Sequence, residues 1–342
     1  MTAVPFEGPE KKLEVILKRP LPGLRSAGRS SPGRSAAGDS SPGGSAPGDS
    51  SPGQGAPIDP CWVEVVEAAG AKIVSFTSTE AMDAYLLSES SLFVWDDRVL
   101  MITCGTTSLI DAVPRVIETV AKENIAFFFY ERKNLMYPEL QRSDFEMDAQ
   151  DLTAFFEGKS YRLGPANRDH IHIFYHSTPN RPVENDITLE ILMHDLHPEV
   201  RAAFVPRPEE PIDQMEARTG VDDLYPDMVK DAFRFQPYGY SLNKVRGESY
   251  MTIHVTPEPH GSYASFETNV TERNYTETIE RVISIFRPNR FSLAMTGSQD
   301  ENQTPQENLL PQRMRGFQVT ESSFYEFDSG YAVTFRNYSA HE

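Results

Sequence analysis

Residues 85–97 read YLLSESSLFVWDD, a polar cluster between two apolar runs. The runs at 85–87 and 92–95 contain Leu, Phe, Val, Tyr and Trp, which are typical of buried strands. The cluster from Ser88 to Ser91 has the composition of a turn, and this is the ordinary interpretation of such a sequence. We therefore expect two adjacent strands that meet at the serines. A function for the serines has to be argued from motifs elsewhere in the chain.

The composition limits the partners of the protein. Among 342 residues, 32 Lys and Arg stand against 50 Asp and Glu, so the net charge is -18. This surplus repels nucleic acid and anionic membranes, and it suits a cationic substrate better. No apolar run approaches the roughly 20 residues of a membrane span, and we find no secretory signal. Because only Cys61 and Cys104 are present, no disulfide framework is predicted, and we expect a soluble cytoplasmic protein.

The segment 20–60 differs in composition from the rest of the chain. SSPG recurs every ten residues from position 30, within a run of Gly, Pro, Ser and Ala. Such a segment buries too little apolar area to offset the entropy lost on ordering, so we predict a disordered insert. Hydrophobic residues make up 39% of the chain, enough for a substantial core. We expect one domain over 1–342 that contains this insert.

The remaining pattern mixes strands and helices. Apolar residues at helical spacing predict helices at 61–70, 108–124, 186–196 and 275–286. β-Branched and aromatic runs predict strands at 11–18, 71–78, 97–105, 125–134, 170–177, 249–258, 263–270 and 330–338. Since turns separate many of the strands, the pattern favours an α+β fold with antiparallel sheets. GxGxxG, P-loop, HExxH and CxxC motifs are absent from the sequence, so neither a nucleotide fold nor a metal site is predicted.

Four motifs together identify a resemblance that covers nearly the whole chain outside the insert. They are LSESSLFV (87–94), TCGTT (103–107), GYSLN (239–243) and TIHVTPE (252–258), with FEGPEKKLE (6–14) near the start. In combination they resemble the eukaryotic, pyruvoyl-dependent S-adenosylmethionine decarboxylases. The resemblance implies a four-layer α/β-β/α sandwich, with two central antiparallel sheets and helices on both outer faces. It also implies decarboxylation of S-adenosylmethionine for spermidine and spermine synthesis.

The resemblance assigns the chemistry to particular residues. Decarboxylation needs an electron sink that side chains do not supply, and this family makes a pyruvoyl group from a serine, here Ser90. The Ser90 hydroxyl would attack the Glu89 carbonyl, and elimination would then cut the chain into fragments 1–89 and 90–342. The family role of His254 is to remove the α-hydrogen, and that of Ser241 is to support the intermediate. The pyruvoyl group would then form a Schiff base with the substrate.

Cys104 occupies the family position of the acid that protonates the product. Considered without the resemblance, Cys104 would be a small buried residue at a strand end, and His254 an ordinary strand residue.

Substrate recognition is likewise implied by the family positions. Phe6 and Phe235 would stack on the adenine, and Glu258 would accept hydrogen bonds from the ribose. Glu7 and Glu10 lie at the acidic catalytic positions, where carboxylates favour the cationic sulfonium. Glu89 also belongs to the substrate-binding set.

Animal members of the family bind putrescine as an activator at a buried acidic site. The matching acids here are Glu14, Asp186, Glu190 and Glu267. Lys12, however, stands where animal members have Leu and plant members have an Arg that replaces the diamine. Phe129 is animal-like, so dependence on putrescine stays open. Two smaller departures, Tyr238 in place of Cys and a Ser241–His254 interval shorter by one residue, are predicted to fall in a loop.

Two alternatives remain beside the enzyme. A regulatory paralogue that acts by heterodimerisation would be expected to lose the cleavage serine or the processing pair, whereas Ser90, Ser241 and His254 are all present. A serine hydrolase would need a GxSxG nucleophile elbow, which the sequence lacks. For the enzyme, the expected partners are S-adenosylmethionine, putrescine as an open possibility, and its own two fragments as a heterodimer, which could dimerise again.

Overall fold

A computed structural model of the chain describes residues 6–25, 58–178, 186–207, 210–298 and 305–341. Most of the predicted insert, residues 26–57, lies outside the described residues. The residues on either side of it pack together, since the Trp62 indole donates a hydrogen bond to the Leu24 carbonyl at 2.9 Å. Both side chains lie in the core under the first sheet.

The described residues form two antiparallel sheets of eight strands each. The first contains β1 (Lys11–Leu17), β2 (Ile73–Ser78), β3 (Met82–Leu87), β4 (Ser90–Trp95), β5 (Arg98–Thr103), β6 (Ile125–Lys133), β7 (Lys159–Leu163) and β8 (Ile171–Ser177). The second contains β9 (Ile187–Leu196), β10 (Val229–Arg234), β11 (Tyr240–Arg246), β12 (Ser249–Thr256), β13 (Tyr263–Thr268), β14 (Pro288–Ser298), β15 (Phe317–Glu326) and β16 (Tyr331–Ala340).

The described helices are α1 (Pro60–Ala68), α2 (Leu109–Val120), α3 (Phe145–Thr153), α4 (Pro198–Phe204), α5 (Ile212–Thr219), α6 (Thr276–Phe286) and the short α7 (Gln306–Leu309). Helices α1 and α2 begin at capping side chains: Asp59 accepts a hydrogen bond from the Cys61 N–H, and Ser108 accepts one from the Asp111 N–H. Among the described residues, no helix is long and apolar enough to cross a membrane.

The two sheets repeat one topology. The strand order is β2-β3-β4-β5-β1-β6-β8-β7 in the first sheet and β10-β11-β12-β13-β9-β14-β16-β15 in the second. Each strand of the second sheet thus occupies the position of the strand eight places earlier in the chain. Helices α1, α2 and α3 cover the outer face of the first sheet, and α4, α5 and α6 cover that of the second. The four-layer sandwich predicted from the sequence is therefore confirmed.

The layer between the sheets is apolar at two places and polar between them. One apolar cluster includes Phe127, Phe129, Leu192, Tyr331 and Val333, and the other includes Met82, Phe93, Trp95, Leu100 and Tyr250. Strand alternation also directs a set of buried polar side chains into this layer: Lys12, Glu14, Ser91, Glu190, Asn243, His254 and Glu267. These buried polar side chains have to form hydrogen bonds or ion pairs with one another, so we expect the functional site in this layer.

One predicted element is wrong. Residues 186–196, predicted as a helix, form strand β9 in the middle of the second sheet, between β13 and β14. Ile191 and Met193 face the helices, while Leu192 between them faces the first sheet. Because both faces of this strand are covered, Leu192 interrupts the alternation of polar and apolar residues, and the three consecutive apolar residues at 191–193 also fit a helical spacing.

Candidate active site

The polar cluster of the opening motif forms the turn of a β-hairpin. Ser88 and Glu89 connect β3 to β4, and Leu87 pairs with Ser90 across the hairpin. Ser90 is buried and has a φ angle of 110°. A non-glycine residue at such an angle is strained by about 1–3 kcal/mol and persists only where its surroundings hold it in place. The strain therefore falls on the residue after the Glu89–Ser90 peptide bond.

Cys104, at the end of β5, holds both sides of that bond. Its backbone N–H donates a hydrogen bond to the Glu89 carbonyl oxygen at 3.2 Å. The Ser90 hydroxyl lies 3.4 Å from the Cys104 Sγ, to which it donates. Burial raises the pKa of the Cys104 thiol to about 12, so the thiol is protonated at neutral pH. Cys104 thus provides a hydrogen-bond donor at the carbonyl and an acidic proton beside the serine.

A second group of polar side chains comes from the facing sheet. The Ser241 hydroxyl lies 2.8 Å from His254 Nδ1, and the Thr252 hydroxyl lies 2.8 Å from His254 Nε2. Ser91, the residue after Ser90, lies 3.3 Å from the same Nε2 and donates to Asn243 at 2.7 Å. Burial lowers the pKa of His254 to about 3, so the ring is neutral and can act as a base.

The structure brings Ser241 and His254 together, as the sequence predicts, and adds three residues to them. Ser91, Asn243 and Thr252 belong to the quoted motifs, so their positions were visible in the sequence. Their arrangement depends on side-chain contacts between the two sheets, which a local sequence pattern does not contain.

The segment before β1 borders the same hairpin. Glu7 accepts hydrogen bonds from the backbone N–H groups of Met136 and Tyr137 at 2.8 and 2.7 Å, so its carboxylate anchors that loop. Burial raises the pKa of Glu7, although these hydrogen bonds oppose the shift. Glu10 accepts a hydrogen bond from Ser265 at 2.7 Å, and burial raises its pKa to about 8. Of the two predicted acids, Glu10 is therefore the one that can exchange a proton near neutral pH.

Two residues of the predicted substrate set, Phe6 and Glu258, lie in contact. Glu258 accepts a hydrogen bond from the Phe6 N–H at 3.2 Å. The Phe6 ring packs on Gly105, whose φ angle is 65° and where a Cβ atom would lie 3.0 Å from the ring and 3.7 Å from the Glu89 side chain. A glycine is thus needed at Gly105 both for the backbone angle and for the close approach.

Phe235 follows β10, in the loop that leads to β11. Its ring packs edge-on against Phe233, with 4.8 Å between the ring centroids. Tyr238 lies in the same loop, as expected, and its side chain is exposed.

The acids predicted for the putrescine site divide into two groups. In the first, the buried Lys12 ammonium forms ion pairs with Glu190 and, at 3.5 Å, with Glu267. Burial lowers the pKa of Lys12, but the carboxylates of Glu267, Glu131 and Glu14 outweigh this and hold it above its ordinary value. The Tyr250 hydroxyl also donates to Glu267.

In the second group, Arg98 forms an ion pair with Asp186 and lies 3.4 Å from Glu14. The Tyr331 hydroxyl donates to Asp186 at 2.8 Å. Sequence reasoning missed Arg98 and Tyr331, and it also missed Glu131, whose pKa burial raises to about 7. Each lies on a predicted strand, where a charged residue is ordinarily assigned to the solvent face.

Within the described ranges, no group of three or more His, Cys, Asp or Glu side chains is arranged to hold a metal ion. The site consists of the strained Ser90, the protonated thiol of Cys104, the neutral ring of His254 and a set of buried carboxylates.

Known proteins are similar to this chain in fold and in sequence. The family model described as "Adenosylmethionine decarboxylase" matches residues 47–339. The S-adenosylmethionine decarboxylase proenzyme of Dictyostelium discoideum is 33% identical over 285 residues, which cover 81% of this chain and 75% of the relative. The proenzyme of Trypanosoma cruzi is 33% identical over 357 residues, 98% of this chain and 88% of the relative. A crystal structure of a Trypanosoma brucei AdoMetDC-delta26 monomer matches with a TM-score of 0.60 at 26% identity, over 73% of this chain and 99% of that one.

The sandwich and these matches define an enzyme of the decarboxylase class. Because the family model spans most of the chain and the relatives exceed 30% identity over most of its length, the chain belongs to the adenosylmethionine decarboxylase family.

Proposed function

We propose that the chain is the precursor of a self-cleaving, pyruvoyl-dependent decarboxylase. Its reaction converts S-adenosylmethionine to S-adenosyl 3-(methylthio)propylamine and CO2, for spermidine and spermine synthesis in the cytoplasm. The observation that carries the proposal is the strained Ser90, whose preceding carbonyl accepts a hydrogen bond from Cys104. A buried serine at this backbone angle, beside a polarised carbonyl, is placed for attack on its own peptide bond.

Self-cleavage follows from these contacts in two steps. In the first, the Ser90 oxygen bonds to the Glu89 carbonyl carbon, the C–N bond breaks, and the nitrogen takes a proton. The negative charge that develops on the carbonyl oxygen faces the Cys104 N–H, which acts as an oxyanion donor. In the second step, neutral His254, held by Ser241 and Thr252, removes the α-hydrogen of residue 90. The ester C–O bond then breaks, fragment 1–89 leaves as a carboxylate, and residue 90 becomes dehydroalanine. This residue tautomerises to an imine, which one water molecule hydrolyses to the pyruvoyl group with release of ammonia.

The structure fits a pyruvoyl group at position 90, because the buried hairpin end shields it from water and Cys104 lies beside it. When present, that group supplies the electron sink for decarboxylation. The protonated Cys104 thiol delivers the proton that the substrate α-carbon needs after CO2 departs.

Recognition of the substrate uses the rim of the site. Phe6 and Phe235 would hold the adenine, and Glu258 would accept the ribose hydroxyls. Glu89 provides a negative charge that favours the sulfonium, and Glu10 adds to it when it has lost its proton. Glu7 acts indirectly, because both its carboxylate oxygens are used to fix the loop at Met136.

Lys12 fills the place of a diamine in this proposal. Its ammonium lies between Glu190 and Glu267, the carboxylates that would otherwise bind one end of putrescine. Arg98 lies beside Glu14 and Asp186, where the other end would bind. Each of the two groups of buried acids thus contains an internal cation, so we propose that the enzyme does not require putrescine.

The intact mass of the purified chain tests the self-cleavage. Wild-type protein should give fragments 1–89 and 90–342, with a blocked N-terminus on the larger one, and should release CO2 from S-adenosylmethionine. Ser90→Ala should stay uncut and inactive. Ser88→Ala is the matched control, since this neighbouring serine should be dispensable for cleavage. An uncut, inactive wild-type chain would contradict the proposal and favour the regulatory paralogue.

A further inference from the structure

Two buried side chains in the layer between the sheets are left unexplained by the mechanism above. His194 on β9 and Tyr263 on β13 are each 1% exposed and pair directly across the two strands. Their rings meet edge-on, with 5.0 Å between the centroids. Neither ring nitrogen of His194 nor the Tyr263 hydroxyl has a hydrogen-bond partner among the described residues. Buried polar groups of this kind are ordinarily satisfied by ordered water.

Asp169 connects His194 to the surface of the protein. His194 Nε2 lies 3.5 Å from Asp169, and Asp169 also contacts Lys133 at 3.1 Å and Arg290 at 2.7 Å. Asp169 and Arg290 line a groove that is open to solvent between the two sheets. Solvent can therefore deliver a proton at Asp169 without using the substrate cleft. The carboxylate passes this proton on and does not keep it, because Lys133, His194 and Arg290 outweigh the effect of burial and lower its pKa.

The inner end reaches the reacting residues. Gly8 lies so close to Tyr263 that a Cβ atom at position 8 would come within 2.6 Å of the Tyr263 Cβ. Two residues further along the chain, Glu10 accepts a hydrogen bond from Ser265, which shares the inward face of β13 with Tyr263. After burial, Glu10 and Cys104 have the largest effects on the pKa of the Tyr263 hydroxyl, and both raise it.

The reaction creates a need for such a path. When the substrate carboxylate leaves as CO2, its bonding electron pair stays on the α-carbon, which then takes the proton of Cys104. Each turnover therefore consumes one proton from solution, and the thiolate has to be reloaded. Cys104 is buried, and bound substrate fills the cleft in front of it.

We propose that Tyr263 and His194, bridged by water, form a relay that carries protons from Asp169 at the surface to Glu10 and Cys104. The relay rests on the proposed decarboxylation, since it serves the protonation step of that reaction. A neutral imidazole can accept a proton on one nitrogen while it releases one from the other, and a phenol can do the same with its single oxygen.

The surrounding charges keep the relay neutral. Burial lowers the pKa of His194 well below its ordinary value, Lys133 and Arg290 lower it further, and Asp169 opposes them. Burial likewise raises the pKa of Tyr263, and Glu10, Cys104, Asp169 and Glu131 add to the shift. Both side chains are therefore uncharged at neutral pH when they pass a proton on, whereas Glu10 changes its protonation state near neutral pH.

Tyr263→Phe tests the relay, because it removes the hydroxyl and keeps the ring that packs on His194. We expect complete self-cleavage, an unchanged KM, a kcat lowered about 100-fold, the lower limit of what one proton-transfer group contributes, and a larger solvent deuterium isotope effect on kcat. Mass spectrometry after many turnovers should show more of the 90–342 fragment with alanine at position 90. The reason is that slow reprotonation of Cys104 lets the proton go to the carbon of residue 90 and not to the substrate α-carbon. Tyr275→Phe is the matched control, since this buried tyrosine lies under the outer helices of the second sheet.

Two further measurements keep the test decisive. His194→Asn should reproduce the kinetic effects if Tyr263→Phe fails to fold. A crystal structure of the uncut Ser90→Ala chain should show water within hydrogen-bonding distance of Tyr263 Oη and His194. Normal kcat and isotope effect in both variants, an equal loss in Tyr275→Phe, or a dry layer would overturn the relay. An inactive, uncut wild-type chain would instead overturn the proposed function itself.

Discussion

Replacing Lys12 by methionine removes a buried cation and keeps most of its apolar stem. Lys12 is 4% exposed and contacts Glu190 and Glu267, while Glu131 and Glu14 act on it electrostatically. Arg98, on the neighbouring strand β5, is already engaged by Asp186 and Glu14. We therefore expect Lys12→Met to leave at least two buried carboxylates without a counter-charge.

The size of the effect can be worked from these contacts. Two unit charges at the 3.5 Å Lys12–Glu267 distance attract by about 5 kcal/mol at an effective dielectric constant of about 20. Desolvation of the ammonium offsets part of this attraction, and breaking one partner of a buried pair typically costs about 3–5 kcal/mol. Because the carboxylates hold the pKa of Lys12 above its ordinary value, the full contribution is present at neutral pH and is lost only as the pH rises through that raised pKa.

Urea unfolding of the uncut Ser90→Ala chain measures this loss, with Lys12→Met added in a second variant. We expect the free energy of unfolding to fall by about 3–5 kcal/mol at neutral pH. Putrescine should restore part of it in the variant, since an ammonium of the diamine can take the place of the lysine, and it should change the parent little. Lys18→Met is the control, because Lys18 is exposed.

The reasoning would be refuted by a loss below about 1 kcal/mol, the usual value of an exposed ion pair. It would also be refuted if putrescine stabilised the parent as strongly as the variant, because Lys12 would then not occupy the diamine position.

Three further predictions concern the reacting groups. Cys104→Ala keeps the backbone N–H at the Glu89 carbonyl, so self-cleavage should continue while turnover falls at least about 100-fold; equal losses in fragment yield and CO2 release would contradict the acid role. His254→Ala should stall at the ester, so hydroxylamine should cut the chain before residue 90, and spontaneous cleavage at the wild-type rate would rule this base out. Because burial raises the pKa of Glu10 from 4.5 to about 8, the folded chain holds a proton that the unfolded chain has lost, and this contribution to stability falls as the pH rises through that window. Glu10→Gln should therefore flatten the decline of unfolding free energy across that window, and an unchanged slope would exclude the shift.

The sequence predicts the fold well where the local pattern is typical of only one kind of element. Helix α2 was found from apolar residues at helical spacing, and strand β5 from a short apolar run that is bounded by turns and buried on both faces. In strand β9, polar residues alternate with apolar ones, but Leu192 lies between Ile191 and Met193 and interrupts the alternation. The resulting apolar spacing also fits a helix, and the pairing with β13 and β14 that makes this segment a strand is not visible in a local pattern.

The candidate site was predicted residue by residue only where a motif carried it. Ser91, Asn243 and Thr252 were quoted within motifs, but Ser91 contacts the other two across the layer between the sheets. The roles of Arg98 and Glu131 were not predicted, because a charged residue on a strand is ordinarily assigned to the solvent face. The sequence pattern does not show that a second sheet covers that face. His194 and Tyr263 were missed for the same physical reason.

The position of the proposed cut follows from the topology of the first sheet. Cleavage between Glu89 and Ser90 leaves β1, β2 and β3 on the smaller fragment. β1 lies between β5 and β6, all its residues are buried, and β3 pairs along its length with β4. The cut opens a turn and leaves every strand pairing of the sheet in place, whereas departure of the fragment would separate β5 from β6. Because Glu10 and Lys12 belong to this fragment while Cys104 and His254 belong to the other, the site requires both fragments, and the sheet that holds them together is the one in which the serine reacts.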